Sequence, residues 1–315
     1  MLVILVVLFS MIICSSAENS CGERRFRMSP LHQNLKPKAV PTKELNYSNL
    51  VECSNKCDAS CEGFFFNSEK NSVCSMYNQR FVSMAFEQNN GTQAYDAVNH
   101  LPSDCFDVMM NGEDTSGVKR IYPLDTGETI NVWCEISTEE GWLVIQRRTD
   151  GSEDFFRTWN EYKIGFGDLN NEFWLGNTNI HRFTSQGYYD LRIDLEDFDG
   201  NTRYAMYKNF SVASEQDYFR LSVGAYSGDA GDSFSGHSGY NFTTTDKDLD
   251  TDGSSNCAER FKGAWWYNKC YSSNLNGLYL SSFPSPVSKG LIWRAWHGLQ
   301  YSLKRTTMKI RPMEF

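Results

Sequence analysis

The sequence predicts a chain of two parts: a small cysteine-rich part, and then a larger domain in which an antiparallel β-sheet dominates and helices are short. Three observations support this organisation. Five of the cysteines that follow the apolar N-terminus lie before residue 75. After residue 105, short β-like runs separated by turn residues become frequent. Within one of them, 188–195, apolar and polar residues alternate, which is typical of a strand with one buried face.

The chain begins with an apolar stretch that carries no charge, MLVILVVLFSMIICSSA. Ser15 and Ala17 occupy positions that signal peptidase prefers, so residues 1–17 are predicted to be a secretory signal peptide, although its basic n-region is missing. A membrane anchor is the alternative, but the apolar run ends near Cys14 and is short for a bilayer span. The remaining length suffices for one large domain and one small domain.

The charge balance argues against nucleic acid as a partner. The chain has 39 acidic and 30 basic residues, a formal net charge of −9. Secretion agrees with the formal N-glycosylation sequons, of which we expect about two or three to be used. The sequons begin at Asn46, Asn90, Asn209 and Asn241.

The cysteines divide the chain. Ten are present, and nine remain once Cys14 leaves with the signal peptide, so one thiol has no internal partner. They fall into four groups: Cys21; Cys53, Cys57, Cys61 and Cys74; Cys105 and Cys134; and Cys257 and Cys270. The last two groups each form a local pair. The uneven density places a linker at 99–104, between a small domain at 18–98 and a larger one at 105–315.

In the small domain, Cys53 and Cys57 are four residues apart, on one face of a short helix predicted between 47 and 58. Cys57–Cys61 and Cys53–Cys74 are the favoured connectivity of the three that are possible. A zinc site from the same four cysteines is the alternative. It is disfavoured because the spacing lacks C-x-x-C knuckles and the compartment is oxidising.

The block LVECSNKCDASCEGFFFN, together with the early Cys21 and the later Cys74, resembles a PAN or apple domain. Such domains usually join their first cysteine to one near their end, and residues 75–98 contain none. Cys21 is therefore either a free thiol or the site of an interchain bridge. The bridge is favoured outside the cell and implies a homo-oligomer.

Four runs of the larger domain are predicted to be strands. In 188–195, one side carries apolar residues and is expected to face the core, which predicts a half-buried antiparallel sheet. Short helices are predicted in RTWNEYKIGF and NTNIHRFTS, with Asn177 or Thr178 as the cap of the second. The strand runs are 141–148, 188–195, 203–212 and 218–226.

An acidic run dominates the distal part of the chain. Asp246, Asp248, Asp250 and Asp252 recur at every second position. Four carboxylates so close together repel one another unless solvent or a cation neutralises them, and calcium prefers such oxygen ligands. Asp248 to Glu259 also satisfies the EF-hand loop pattern, but the turn-rich flanks disfavour paired helices. Calcium in another kind of loop is the preferred interpretation, and an ion-free solvated loop stays open.

Directly after the acidic run, Cys257 and Cys270 are placed to close a short loop. This loop contains four aromatic residues: Phe261, Trp265, Trp266 and Tyr267. An ion-binding loop beside a group of aromatic side chains predicts a recognition surface. The simpler alternative is that Trp265 and Trp266 are core residues. Likewise, Asn274 and Asn276 fit turn positions as well as ligand contacts.

Residues 101–313 resemble a fibrinogen C-terminal globular domain. The resemblance implies an α+β fold: a twisted, mainly antiparallel sheet, short helices and a loop-built subdomain that carries calcium and the binding site. The matching motifs are DCFD (104–107), SGV (116–118), VWCE around Cys134, GWLVIQRRTDGSEDFFRTWNEYKIGFG (141–167), NEFWLGNTNIHRFT (171–184), SGDAGDSFSGHSGYNFTTTDKDLD (227–250), NCAERFKGAWWYNKCYSSNLNGLY (256–279) and YSLKRTTMKIRP (301–312).

The same resemblance implies disulfides Cys105–Cys134 and Cys257–Cys270, and a cis peptide at Lys269–Cys270. It places the calcium ligands on the Asp248 and Asp250 carboxylates and on backbone carbonyls near Asp252 and Ser254, with water completing the shell. The chain departs from the family pattern at Leu249, where a polar residue is usual. The run from 246 to 257 is also longer than is typical.

Lectin-like members of the family bind acetylated sugars beside the ion. The corresponding positions here are Phe261, Tyr271, Val287 and Ser288, and most of the polar groups of the family pocket are changed. The apolar wall is kept, and the backbone N–H of Cys270 stays available as a donor. Trp265 and Asn274 are further predicted pocket residues.

No catalytic motif is present, and His32, His100, His181, His237 and His297 are scattered, so the chain is not expected to be an enzyme. Two functions stay open. The first is a secreted, calcium-dependent lectin of innate recognition that gains avidity by assembly. The second is an extracellular matrix or receptor-binding protein ligand that uses the same loop face.

Overall fold

The computed structural model describes residues 101–125, 127–280 and 288–313, and within the first hundred residues the backbone of eight strands. The chain divides into two compact units, 1–101 and 102–313. Each unit is described by itself.

Antiparallel strands form the described part of the first unit. They pair in the order β1-β2-β8-β5-β6-β4, and β3 pairs separately with β7. The strands are β1 (Leu8–Cys14), β2 (Cys21–Met28), β3 (Leu35–Pro37), β4 (Lys43–Asn46), β5 (Gly63–Asn67), β6 (Val73–Tyr77), β7 (Phe86–Gln88) and β8 (Thr92–Ala97).

Several predictions for the first unit lie outside the described residues. Cys53, Cys57, Cys61 and the predicted helix at 47–58 belong to this group, and of Cys74 only the backbone is described. The signal peptide, the two disulfides or zinc, the PAN-like domain and the interchain bridge at Cys21 therefore stay predictions.

The second unit is built around a nine-stranded antiparallel sheet. Seven strands follow the order β12-β13-β11-β21-β14-β15-β18, and β10 joins β11 to β9. The strands are β9 (Gly117–Ile121), β10 (Ile130–Ile136), β11 (Gly141–Arg148), β12 (Phe166–Gly167), β13 (Phe173–Trp174), β14 (Tyr189–Glu196), β15 (Thr202–Tyr207), β16 (Ser211–Val212), β17 (Leu221–Ser222), β18 (Tyr226–Gly228), β19 (Ser273–Asn274), β20 (Ile292–Trp293) and β21 (Arg305–Pro312). Strands β16 and β17 form one small sheet, and β19 and β20 form another.

The predicted sheet is confirmed in its central strands. β11 has the predicted bounds, and β14 begins one residue later than predicted. In β14, Tyr189, Leu191, Ile193 and Leu195 are buried, as the alternation predicts. Asp190 on the opposite side is buried as well, and its Oδ2 accepts a hydrogen bond from Lys208 Nζ at 2.6 Å.

Two of the predicted strands are interrupted. The run 203–212 turns at Asn209, whose φ is 51°, so β15 and β16 are separate. The run 218–226 starts with Tyr218 and Phe219 at φ values of 49° and 51°. Left-handed backbone cannot continue a strand, and only β17 and the first residue of β18 form within that run.

The helices of the second unit are short. The helix predicted in NTNIHRFTS is present, but Gly176, with φ 101°, is its N-cap. The side chain of Asn177 instead accepts a hydrogen bond from Trp174 Nε1 at 3.0 Å, so the predicted cap was wrong. The helices are α1 (Cys105–Met110), α2 (Trp159–Ile164), α3 (Asn177–Thr184), α4 (Cys257–Phe261) and α5 (Arg294–His297).

A disulfide joins α1 to the sheet. Cys105 and Cys134 are bonded with their Cα atoms 5.4 Å apart, which is the pair that the resemblance implies. Among the described residues, none of the helices is long and apolar enough to cross a membrane.

Candidate functional site

The structure brings the carboxylates of Asp248 and Asp250 together. Asp248 Oδ1 accepts a hydrogen bond from the backbone N–H of Asp250 at 3.3 Å. Asp250 in turn accepts from the N–H of Asp252 at 2.8 Å and, through its other oxygen, from the N–H of Cys257 at 2.7 Å. These bonds fix both carboxylates at the start of α4.

The electrostatics of this pair suit a cation. Burial raises the pKa of Asp250, and the negative charge of Asp248 raises it further, against two backbone hydrogen bonds that lower it. A divalent cation between the two carboxylates would remove this unfavourable energy. Hard oxygen donors in an irregular loop are the donor set that calcium prefers, so the residues present fit the ion that the family fold implies.

Asp252 uses its carboxylate within its own turn. Its Oδ1 accepts hydrogen bonds from Ser254 Oγ at 2.7 Å and from Ser254 N at 3.3 Å, and its Oδ2 accepts from Ser255 Oγ at 3.3 Å. The bond from Ser254 Oγ is the main reason that the pKa of Asp252 is lowered. These bonds order the turn at residues 252–255.

A second grouping near Asp252 is not a metal site. One carboxylate oxygen of Asp252 and the sulfurs of Cys257 and Cys270 lie within 4.8 Å of one another. The two sulfurs form a disulfide, with Cα atoms 5.7 Å apart. Metal ions bind cysteine as thiolate, so these sulfurs are poor ligands while the bond is intact.

Asp246 serves a different purpose from its neighbours. Its Oδ1 accepts hydrogen bonds from the backbone N–H of Trp159 at 2.8 Å and from Thr244 Oγ1 at 2.7 Å. Trp159 is the first residue of α2, so Asp246 caps a helix that lies 87 residues earlier in the chain. Sequence reasoning grouped Asp246 with the ion loop because no local pattern signals such a distant partner.

We expect Asp246→Ala to lower the free energy of unfolding by about 1 kcal/mol, because the first N–H of α2 loses its acceptor. Asp246→Asn keeps the accepting oxygen and is expected to stay within about 0.5 kcal/mol of the wild type. Urea unfolding followed by tryptophan fluorescence measures both values. Equal stability of the alanine variant and the wild type would contradict the capping role.

The loop pattern of an EF-hand is present, but the structure of one is not. Residues 238–247 contain no helix, and α4 on the other side has only five residues. Asn256 caps α4 by accepting from the N–H groups of Ala258 and Glu259 at 2.8 and 3.2 Å. Its Nδ2 donates to the carbonyl of Thr244 at 3.0 Å, which ties the helix back to the acidic run.

The peptide bond between Lys269 and Cys270 is cis, as the resemblance implies. It lies beside the acidic loop, because the backbone N–H of Thr251 donates to the carbonyl of Asn268 at 3.1 Å. Among the residues that the structure describes, the N–H groups of Cys270 and Tyr271 have no acceptor. These two backbone donors lie next to the aromatic wall, because Tyr271 is part of it.

Phe261 and Tyr271 form the half-buried aromatic wall. Their ring centroids are 4.7 Å apart and the rings meet edge to face, at 89°. The hydroxyl of Tyr271 donates a hydrogen bond to the backbone carbonyl of Ser288. The hydroxyl donor of Tyr271 is therefore already used within the protein.

Two predicted pocket residues lie behind the wall. Trp265 and Asn274 are both 0 % exposed, so the prediction that they contact a ligand was wrong. The Oδ1 of Asn274 accepts from Tyr267 Oη at 2.6 Å, and its Nδ2 donates to the carbonyl of Phe261 at 3.4 Å. Asn274 therefore positions Phe261 from inside the core. Val287 lies outside the described residues.

His237 is a buried part of the site that sequence reasoning did not identify. Its Nδ1 donates to the carbonyl of Trp266 at 2.7 Å, and its Nε2 accepts from the N–H groups of Ser272 and Ser273 at 3.1 and 3.2 Å. Burial lowers the pKa of His237 to about 4. The neutral ring thus connects the segment before the cis peptide with the segment after Tyr271.

Asp232, which lies near His237 in the chain, orders the end of the SGDAGD loop at 227–232. Asp232 accepts from the N–H groups of Phe234 and Ser235 at 3.1 and 3.0 Å. The other described histidines contact other elements. His181 bonds the carbonyl of Val212 at 2.9 Å, and His297 lies 3.2 Å from a carboxylate oxygen of Asp197.

Comparisons with known proteins place residues 101–313 in one family. This range matches the family described as fibrinogen beta and gamma chains, C-terminal globular domain. Techylectin-5A of Tachypleus tridentatus is 47% identical over 220 residues, which cover 68% of this chain and 75% of that protein.

Two solved structures are also similar. The fibrinogen-like globe domain of human ANGPTL2 has a TM-score of 0.65 and 43% identity, and the match covers 67% of this chain and 99% of that one. The lamprey fibrin D-dimer, complexed with the peptide ligand Gly-His-Arg-Pro-amide, has a TM-score of 0.64 and 40% identity, and covers 69% and 75% of the two chains.

Proposed function

The chain belongs to the family of fibrinogen C-terminal globular domains, and from this membership we propose that it is a secreted, calcium-dependent recognition protein that binds acetylated glycans. The single observation that carries the proposal is that a loop with paired carboxylates lies beside an aromatic wall, to which it is joined through α4. The similarity to a protein named as a lectin, Techylectin-5A, supports the same conclusion.

In this proposal, calcium is held by the carboxylates of Asp248 and Asp250 and by backbone carbonyls at Asp252 and Ser254. The ion supplies positive charge that cancels the repulsion within the acidic run and so keeps the loop in one conformation. Asp250 would connect the ion to α4. One oxygen of its carboxylate accepts a hydrogen bond from the N–H of Cys257, and the same carboxylate would bind the ion.

The ligand contacts follow from the groups that reach the surface. Phe261 and Tyr271 offer an apolar niche to an acetyl methyl group. The N–H groups of Cys270 and Tyr271 are suitable donors for the acetyl carbonyl. The buried residues Trp265 and Asn274 support this niche from behind, and His237 holds the backbone on both sides of it.

A protein-binding function is the second candidate. The hydroxyl of Tyr271 donates its hydrogen bond to the carbonyl of Ser288. This donor is therefore not available for sugar recognition, which uses polar groups in the pocket elsewhere in the family. The lamprey fibrin D-dimer, a structural relative, is complexed with a peptide ligand. In this case the same loop face would contact an extracellular protein such as a receptor or a matrix component.

A retention experiment separates the two candidates. We expect the purified protein to bind an N-acetylated resin in calcium, and to be released both by a chelator and by free N-acetylglucosamine. The absence of retention on acetylated surfaces, with the protein folded and loaded with calcium, would favour the protein ligand.

Calcium is expected to stabilise the fold through Asp250. At about 100 times its dissociation constant, the ion should raise the free energy of unfolding by roughly 2.7 kcal/mol. Asp250→Asn should abolish this increase, whereas Asp246→Asn makes the same charge change in the same run and should keep it. Urea unfolding with and without calcium measures the effect. An equal calcium response in both variants would contradict the ligand assignment.

Secretion and assembly belong to the same proposal. Residues 1–17 would direct export, and Cys21 would link copies of the chain, since single sugar sites are weak and gain from multivalency. Asn209 is an exposed residue in a turn and is the best placed described sequon, while Asn241 is half-buried. A gel without reductant that shows only monomer would contradict the bridge at Cys21.

A further inference from the structure

Cations surround the aromatic wall, although the chain as a whole carries a formal charge of −9. We call Arg260, Lys262, Lys269 and Lys289 the cationic rim. Arg260 precedes Phe261 and Lys262 follows it, Lys269 precedes the cis-linked Cys270, and Lys289 follows Ser288. Arg260 and Lys269 are exposed, and the other two are half-buried.

None of the four members of the rim forms an ion pair with a described carboxylate. Glu259, the carboxylate carried by α4, is exposed and forms no ion pair with a described cation either. Two members of the rim have partners of other kinds: the charge of Lys269 lowers the pKa of Asp252, and Lys262 Nζ lies 4.5 Å from the ring centroid of Phe156. Elsewhere, surface cations such as Arg157 are paired, in that case with Glu153 at 2.6 Å and Glu161 at 2.9 Å.

Arg260 is in contact with the wall. Its guanidinium carbon lies 5.0 Å from the ring centroid of Phe261, within the range of a cation–π contact. Burial raises the pKa of Tyr271, and the charge of Arg260 opposes that rise, so the guanidinium also acts on the second ring. A guanidinium that rests on a ring keeps N–H donors at its edge free for a bidentate partner.

We propose that the site selects acetylated sugars that also carry an anionic group, a carboxylate or a sulfate, and that Arg260 binds this group. The inference rests on the proposed glycan function and specifies its ligand class. The wall receives the acetyl methyl, and the guanidinium fork pairs with the planar or tetrahedral oxyanion beside it. Lys269 and Lys289 add positive potential that attracts such ligands.

The test measures dissociation constants by calorimetry for three sugars in calcium: N-acetylneuraminic acid, 6-sulfo-N-acetylglucosamine and neutral N-acetylglucosamine. We expect at least one of the anionic sugars to bind about tenfold or more tightly than the neutral one, with a preference that shrinks in high salt. Arg260→Gln should reduce the preference to about twofold. Arg294→Gln, which removes an exposed arginine of α5, should leave it unchanged.

The arms of the experiment separate the possible results. Preference for the sialic acid alone assigns a carboxylate partner, and preference for the sulfated sugar alone assigns a sulfate. Binding of the neutral sugar with equal affinity, or a preference that survives in Arg260→Gln, overturns the inference and leaves the lectin function standing. No binding of any of the three sugars by the folded, calcium-loaded protein overturns both. Because Arg260 is exposed, thermal unfolding should show that Arg260→Gln folds like the wild type.

Discussion

Replacing Glu172 with alanine is expected to lower the free energy of unfolding by about 4 kcal/mol. The Glu172 side chain is buried, and its two oxygens accept four backbone hydrogen bonds. The donors are the N–H groups of Thr149 at 2.6 Å and of Asp150, Gly151 and Glu153 at 3.0 Å. Alanine removes the acceptor that all four of these partly buried bonds share.

The same substitution leaves a buried cation without its counter-charge. Arg148 is 1 % exposed, and its Nε lies 3.8 Å from Oε1 of Glu172. Burial lowers the pKa of Arg148 to about 10, and the charge of Glu172 opposes that change. Removing one partner of a buried pair costs more than the pair itself contributes, because the remaining charge stays desolvated.

Chemical unfolding at pH 7 measures this effect, and two variants control it. Glu172→Gln keeps the shape and an accepting oxygen but loses the charge, so its stability should lie between those of the wild type and the alanine variant. Glu153→Ala removes a partly exposed ion pair with Arg157 and should cost less than about 1 kcal/mol. A Glu172→Ala protein as stable as Glu153→Ala would show that the loop does not depend on this carboxylate.

The loss of Glu172 should also affect the candidate functional site, because Arg148 connects the two. One guanidinium nitrogen of Arg148 donates to the carbonyls of Leu275 and Gly277, at 3.3 and 2.8 Å. These residues follow Asn274, which holds the carbonyl of Phe261. A displaced Arg148 would therefore loosen the support behind the aromatic wall.

The second large effect is a loss of stability in mild acid that His237 causes. Its pKa is about 4 in the folded protein, against 6.5 for the unperturbed side chain. Between these values the unfolded chain binds a proton and the folded chain does not, so stability falls as the pH falls from 6.5 to 4. The full difference corresponds to about 3 kcal/mol, and above pH 6.5 this histidine adds no pH dependence.

The physical reason is the hydrogen-bond pattern of the ring. A protonated Nε2 can no longer accept from the N–H groups of Ser272 and Ser273. Burial is the main cause of the lowered pKa of His237, while the hydrogen bond to the carbonyl of Trp266 and the charge of Asp232 raise that pKa. Protonation in the folded state would therefore break two hydrogen bonds and leave a buried charge in the core.

The measurement is the free energy of unfolding against pH, from 7.5 to 4, for the wild type and two variants. His237→Gln should be less stable at pH 7 but should lose less stability on acidification, since it has no proton to gain. His297→Gln alters a partly exposed histidine and should keep the slope of the wild type. Parallel curves for the wild type and His237→Gln would contradict the assignment.

Local patterns were sufficient for much of the fold. The alternation in 188–195 identified β14 because successive side chains of a strand point to opposite faces of the sheet, so the polarity of each residue indicates which face it occupies. Asp248 and Asp250 were recognisable because close carboxylates repel one another whatever the surrounding fold. The pairing of Cys257 with Cys270 followed from the grouping of the cysteines along the chain and from the family resemblance, and it agrees with the structure.

The roles of residues whose partners are far away in the sequence could not be predicted in this way. The role of Asp246 as the cap of α2 depends on a residue 87 positions away, and that of His237 on carbonyls and N–H groups 29 to 36 positions away. Trp265 was placed in the pocket because aromatic residues suit both cores and binding sites, and sequence does not show which side of the backbone faces solvent. Such assignments require the assembled tertiary structure.

The position of β21 has a consequence for biosynthesis. Residues 305–312 pair with β11 on one side and with β14 on the other, more than a hundred positions upstream. The middle of the sheet therefore cannot close until this stretch has been translated, and the facing edges of β11 and β14 stay unpaired until then. A premature stop codon just before Arg305 would remove the strand between β11 and β14, and we expect the truncated product to be unable to complete the sheet.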